Sequence, residues 1–335
     1  MNYYICLDYY KNFKCKTGSC RSACCKGWSV SVTLDEYFKV INLDCDNNFR
    51  EKLDRGFYIN LKPTSEHYAI IRKDYNGDCV FHGCDGLCEI HKMFGEKAIP
   101  SVCNFYPRNI SKELALEKSC SNSCEKVLEL LFENTDLVKI EYEETSDTCI
   151  NPSEEYTKTR KQIIDILQTR DLDFKDRIKL ISSKFCPIEF TENKVSKEIL
   201  IDYLRLYKES VVSREIIEKI EAIDKNTIEK LEKEIYKKIP NFEIYLEKYL
   251  VNHVFFTGYP YDKLNGKYNY MIHSLIGVYE LTKYVSYLLM KDKNTTEDLV
   301  DIIAFLYRLI GHSDFHKMIG KYLYANVGND ILGLL

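Results

Sequence analysis

Several features are missing from this 335-residue chain, and each absence removes a class of protein. No Gly-x-Gly loop joins a strand to a helix, which argues against a Rossmann-type nucleotide pocket. No segment combines the length and apolarity of a membrane span. The most apolar late stretch, residues 269–290, carries His273, Glu280 and Lys283 and reads as a core helix. The first eight residues lack a basic stretch followed by an apolar one, so they make a poor secretion signal. Charge of one sign is missing too: 47 basic and 51 acidic residues are mixed along the chain, giving −4, and no basic field points to nucleic acid. Internal repeats and low-complexity segments are absent. The expectation is a cytoplasmic globular protein with neither a membrane nor a nucleic acid as partner.

Cysteine, by contrast, is plentiful and crowded at one end. Eleven of the fourteen lie between Cys15 and Cys124, and none follows Cys186. The run opens with Cys15, Cys20 and the adjacent Cys24-Cys25, and continues through Cys79, Cys84, Cys88, Cys103, Cys120 and Cys124. In a small secreted chain an even count would suggest a disulfide framework. In a cytosolic chain of this size the choices are metal ligands, redox thiols and ordinary buried cysteines. Metal ligation leads for the clustered set, because thiolates are soft anionic donors and four of them complete a tetrahedral zinc site or an iron–sulfur cluster.

The short spacings Cys20–Cys24 and Cys84–Cys88 let two sulfurs converge with little chain to order, and Cys103 and Cys120 lie on separate elements that a shared centre would tie together. The metal itself stays open. No Cys-x-x-Cys pair of a zinc ribbon and no bacterial ferredoxin run occurs. The Cys-x-x-x-Cys-x-x-Cys arrangement of radical S-adenosylmethionine enzymes fails at Gly27. The adjacent Cys24-Cys25 serve different centres, or one ligates while the other packs or reacts. His67, His82 and His91 are supplementary donors that read more readily as surface or hydrogen-bonded residues. His312 and His316 share a helix face four residues apart, a weak zinc pattern without an acidic third ligand. Isolated Cys6, Cys45, Cys149 and Cys186 read as small buried hydrophobes, and Trp28 as a core anchor.

The front of the chain reads as short pieces: strands at 28–32, 67–71 and 139–143, an extended 114–116, and helices at 87–94 and 127–132. Thr33 and Glu36 form a capping box, and Asn76-Gly77 a turn. From about Glu154 the pattern turns helical. Helices are expected on either side of 171–173, after Ser196, around Ile217 and Ile220 up to a turn at 224–226, and along Ile228, Leu231 and Ile235. A further 3.6-period stripe runs from Met271 to Leu288, and another helix starts at Asn294 with Glu297. The fold class expected is α-rich α+β, with an irregular cysteine-rich metal-binding region at 1–150 followed by an all-α region at 151–335.

Particular residues carry a family resemblance. Phe13-Lys-Cys15 with Cys20, Cys24-Cys25 and Gly27-Trp28 resembles the opening motif of the flagellin lysine N-methylase (FliB) family. Cys79-Val-Phe81 with Leu87-Cys88-Glu-Ile90, then Cys103-Asn-Phe-Tyr-Pro-Arg108, then Ser119-Cys120 are similar to its later blocks. Tyr249-Leu-Val-Asn252 with Tyr259-Pro260 more loosely resembles a segment of its rear half. The same cysteines resemble YkgJ-like zinc- or iron-chelating domains. The resemblance implies eight ligand positions, Cys15, Cys20, Cys24, Cys25, Cys79, Cys88, Cys103 and Cys120, holding an iron–sulfur cluster (of the [4Fe–4S] type) or zinc. Cys84 and Cys124 stand outside the pattern.

The resemblance further implies methyl transfer from S-adenosylmethionine to lysine on a flagellin-like protein. Arg108, with Tyr106 beside it, is the candidate for the donor carboxylate, since a guanidinium fork matches that shape. The competing reading has Arg108 neutralising thiolate charge. No residue is singled out as the catalytic group. Two other functions stay open: a non-catalytic metal-stapled interaction module, and an iron or redox sensor built on Cys24-Cys25.

Overall fold

The computed structural model describes residues 2–21, 24–27, 29–191, 193–224, 227–260 and 270–335. Trp28 and the 225–226 part of the expected turn lie outside the described residues. The chain forms two compact units, one of Cys15–Pro107 and one of Met1–Lys14 with Arg108–Leu335. These limits differ from a division at 150, because the first strand and residues 108–150 belong with the helices.

The smaller unit is built on a three-stranded antiparallel sheet in the order β2 (Ser31–Val32), β4 (Ala69–Ile71), β3 (Phe57–Ile59). Helix α1 (Leu34–Ile41) follows β2 directly. Its box is complete: Thr33 Oγ1 accepts from the Glu36 amide at 3.2 Å, and the Glu36 carboxylate accepts from the Thr33 amide at 3.0 Å. Asp46 caps α2 (Asn47–Asp54) in the same manner. Val32, Val40, Phe49, Leu53, Ala69, Ile71, Phe81 and Ile90 close the core. Helix α3 (Glu89–Phe94) stops at Gly95, whose φ of +80° suits glycine, and α4 (Ser101–Phe105) is a single short turn further on.

The larger unit opens with β1 (Asn2–Leu7), one of two interior strands of a four-stranded sheet ordered β5 (Arg108–Ser111), β6 (Glu117–Cys120), β1, β7 (Ile140–Thr145). β1 runs parallel to β6 and antiparallel to β7. The extended piece expected at 114–116 begins instead at Glu117. Helices α5 (Glu125–Phe132), α6 (Glu154–Leu167), α7 (Phe174–Phe185), α8 (Glu198–Arg205), α9 (Val211–Glu221), α10 (Ile228–Lys238), α11 (Phe242–Phe256), α12 (Met271–Leu289), α13 (Thr296–Gly311) and α14 (Phe315–Asn326) supply the rest. The class is α-rich α+β, and the described residues after 150 contain helices and no strands.

Helices α11 and α12 are buried almost all round and form the middle of the core. Gly320 on α14 lets that helix lie against α12: a Cβ there would stand 2.7 Å from the Tyr270 carbonyl oxygen and 3.1 Å from Ser274 Cα. The buried Glu247 of α11 accepts from Arg170 and Arg177, which satisfies its charge from two sides. Among the described residues no helix is long and apolar enough to cross a membrane.

Candidate functional site

The smaller unit gathers sulfurs from distant stretches of chain. A backbone link starts the assembly: the Cys79 amide donates to the Cys25 carbonyl at 2.8 Å, and Lys26 and Asp78 form a β-bridge beside it, closed by an ion pair of 3.2 Å. Phe81, 1 % exposed, anchors the 79–82 turn in the core. Cys88 is the N-cap of α3, where the Glu89 amide donates to the Phe81 carbonyl at 2.9 Å. Cys103 sits in α4, which is tied back to α1 by the Ser101 amide donating to Glu36 Oε1 at 2.7 Å.

The electrostatics show that these thiols feel one another. Contact with the Cys24 thiol, then burial, then the charges of Cys24, Cys79 and Cys88 push Cys25 far up. Cys79 is pushed up to about 11 by burial and by Cys88 and Cys24, against the Phe81 amide and Lys52, which favour its thiolate. Burial and Cys24 raise Cys88, while the amides of Ile90 and His91 pull the other way. Burial, then Cys79, Cys88 and Cys24, raise Cys103. Cys24, Cys25, Cys79, Cys88 and Cys103 therefore form one neighbourhood in which each negative charge opposes the next. A soft cation at such a place relieves the repulsion and favours thiolate over thiol.

The donor chemistry fits zinc or iron, with amide groups facing Cys79 and Cys88 as they do around metal thiolates. Among the described residues, however, no three Cys, His, Asp or Glu side chains form a group ready to hold an ion. Nor is any pair of cysteines among them joined as a disulfide.

The remaining expected ligands lie as follows. Cys15 is exposed, with the Thr17 amide donating to its sulfur at 3.3 Å, and Cys20 follows the next turn, half-buried. Cys84 is exposed. Cys120 belongs to the larger unit, fully buried at the end of β6; burial raises its pKa, Arg108 lowers it and Cys124 raises it further. Arg108 is exposed on β5 with its guanidinium 4.8 Å from the centre of the Phe13 ring, so it faces an aromatic ring and a buried thiol. Tyr106 ends α4, its amide donating to the Val102 carbonyl at 3.1 Å.

His312 and His316 do not share a helix face. His312 ends α13, Ser313-Asp314 break the helix, and His316 lies on α14. Ser313 Oγ causes the break, donating to the Leu309 carbonyl at 2.6 Å while accepting from the Phe315 amide at 3.2 Å.

The larger unit holds a buried polar seam that the reading of the sequence missed. Asn252 of α11, fully buried, donates to the Cys120 carbonyl at 3.0 Å and to Asn122 Oδ1 at 2.6 Å, and accepts from the Tyr9 hydroxyl at 2.7 Å. Asn122 donates in turn to the Tyr249 carbonyl at 3.0 Å. Ser123 Oγ is 2.7 Å from His312 Nε2, and His253 Nδ1 is 2.8 Å from the Tyr307 hydroxyl. Burial holds all three imidazoles below the usual histidine range: His253 well below, His316 below, and His312 at about 4 with help from Arg308. The adjacent polar pair Asn252-His253 inside the apolar run 250–256 was the available signal.

Comparison with known proteins bears on the helices of this unit. Residues 188–334, α8 to the end of the helical array, match the model of the FliB lysine N-methylase C-terminal domain. Over these residues the chain is similar to the FliB lysine N-methylases. Over 134 residues, 39% of its length, it is 26% identical to the lysine-N-methylases of Salmonella choleraesuis (strain SC-B67) and Salmonella typhimurium (strain LT2), of which that stretch is 33%. It is 25% identical over the same share to the flagellar biosynthetic protein FliU of Salmonella muenchen, covering 78% of that protein. The matched stretch thus spans about a third of the length of the two named methylases. No solved structure matches. Asn252, His253, Tyr307, His312 and His316 of the polar seam all fall inside the FliB-type domain, whereas Tyr9 and residues 120–123 come from outside it.

Proposed function

We propose that this protein transfers a methyl group from S-adenosylmethionine to the ε-amine of lysine on a flagellin-like protein. The observation that supports the reading is the match of residues 188–334 to the FliB-type domain. In the transfer, the amine lone pair attacks the sulfonium methyl carbon and the carbon–sulfur bond breaks. The sulfonium becomes a neutral thioether, and the amine, now carrying the methyl, sheds a proton. The reaction needs the lysine uncharged, which an apolar or aromatic surround favours by desolvating the ammonium.

In this reading the thiol neighbourhood of Cys24, Cys25, Cys79, Cys88 and Cys103 holds a metal, zinc or a [4Fe–4S] cluster, with Cys15 and Cys20 as further ligand candidates. The bound metal would cross-link the loop at 24–27, the 79–82 turn, α3 and α4. Arg108 is the proposed contact of the donor carboxylate. The protein acts in the cytoplasm.

Incubation of protein purified without oxygen with methyl-labelled S-adenosylmethionine and flagellin tests the reading. Label on lysine ε-nitrogen, located by peptide mass spectrometry, is the expected result, and a metal-loaded protein that labels no lysine overturns it for that substrate. Metal binding without methyl transfer would favour the interaction module. The exposed Cys24, in contact with the Cys25 thiol, favours the redox sensor as second reading, for which peroxide-dependent loss of a visible band is the sign.

A further inference from the structure

We propose that His82 supplies a nitrogen donor, Nε2, to the metal of the thiol cluster, beside Cys79 and Cys88. The inference rests on the reading that those thiols hold a metal, and it adds a ligand of a different chemical kind. Backbone geometry places the imidazole. The His82 amide donates to the Cys79 carbonyl at 2.9 Å, which folds the turn so that His82 follows Cys79 closely. His82 also forms an antiparallel bridge with Cys88. Residues opposed in such a bridge send their side chains to the same face, with Cβ atoms about 4.5–5.5 Å apart. The imidazole therefore leaves the backbone on the side from which the Cys88 thiol leaves it.

His82 Nε2 is buried and, among the described residues, has no hydrogen-bond partner. A polar atom kept from water in this way is destabilising until a partner meets it. The backbone around it shows no such neglect: the Gly83 amide donates to the Leu87 carbonyl at 2.8 Å and the Glu89 amide to the Phe81 carbonyl at 2.9 Å. The other histidines of this unit behave differently. His67 Nδ1 lies 3.5 Å from the Ser31 hydroxyl at an exposed position, and His91 is exposed on α3.

Donor chemistry gives the orphaned nitrogen a use. Imidazole joins thiolates in mixed zinc sites and replaces them on one iron of Rieske-type clusters. A neutral imidazole in the place of one thiolate also lowers the negative charge that the centre must carry.

X-ray absorption at the metal edge, with metal content per chain, tests the proposal on wild-type protein and on His82→Ala and His82→Cys. The wild type is expected to show a light-atom scatterer beside sulfur. His82→Ala should lose that scatterer and bind metal about tenfold or more weakly. His82→Cys should recover the metal with sulfur alone. An all-sulfur first shell in the wild type overturns the proposal without using a variant, as does an unchanged nitrogen signal in His82→Ala. A wild type that holds no metal overturns instead the reading beneath it.

Discussion

Asn252 is the residue on which the interior of the larger unit turns. Its amide meets three groups from two distant stretches, the Tyr9 hydroxyl, the Cys120 carbonyl and Asn122 Oδ1. Asn252→Leu orphans Asn122 Oδ1, at a cost of about 1–3 kcal/mol, and takes one hydrogen bond each from the Tyr9 hydroxyl and the Cys120 carbonyl, which still bond each other. Urea denaturation should show a loss of at least about 2 kcal/mol, against almost none for a surface change such as Asn326→Ala. The histidines of the same seam give a pH signature. His312 titrates near 4 when folded, against about 6.5 when free, because burial and Arg308 oppose its charge. Between those values the unfolded chain binds the proton and the folded one does not. The stability held above pH 6.5 therefore falls as the pH drops toward 4, by up to about 3 kcal/mol for this group alone. Denaturation midpoints followed from pH 7 to 4 should fall, and His312→Gln should flatten part of the slope; an unchanged slope would place the proton elsewhere.

Among the elements, the packing of α14 on α12 depends on the missing side chain of Gly320. The atoms a Cβ would meet are the Tyr270 carbonyl oxygen and Ser274 Cα and Cβ, which are fixed to the backbone and cannot swing aside. Gly320→Ala should cost about 1–3 kcal/mol in the thermal midpoint despite its better helix propensity. Elements set by neighbouring residues were legible in the sequence. The Thr33–Glu36 box needs a spacing of three, and the structure has it. The start of α13 moved by one, to Thr295 with Asp298, because Asn294 with Glu297 satisfies the same spacing. β1 was not legible, since its partners lie more than a hundred residues away in β6 and β7 and its burial does not alternate. The site was half legible. Residue type marked the cysteines as chemistry, but the grouping of Cys24, Cys79, Cys88 and Cys103 arises from the bridges at 26–78 and 82–88, which no local pattern encodes. His82 fared likewise, indistinguishable from His67 and His91 until its burial was known.

At the scale of the whole molecule, the FliB-type domain of residues 188–334 is less than a compact unit. The unit that contains it also uses residues up to Lys14 and from Arg108 onward, and its core includes Leu7, Tyr9, Phe13, Val127, Leu131 and Ile163. Expressed alone, residues 188–334 should lack fixed packing, retaining helix by far-ultraviolet dichroism but giving poorly dispersed amide resonances; sharp, dispersed spectra would show that the domain folds unaided. The smaller unit has a modest core, and a metal shared by five thiols would add to its stability what apolar burial alone does not supply.

Metal and acid-labile sulfide analysis on protein purified without oxygen tests that account most directly. Wild-type protein should carry zinc or iron in stoichiometric amount, and Cys79→Ser with Cys88→Ser should remove it while the larger unit stays folded. Wild-type protein free of metal, or a double variant that keeps its full complement, would contradict the account.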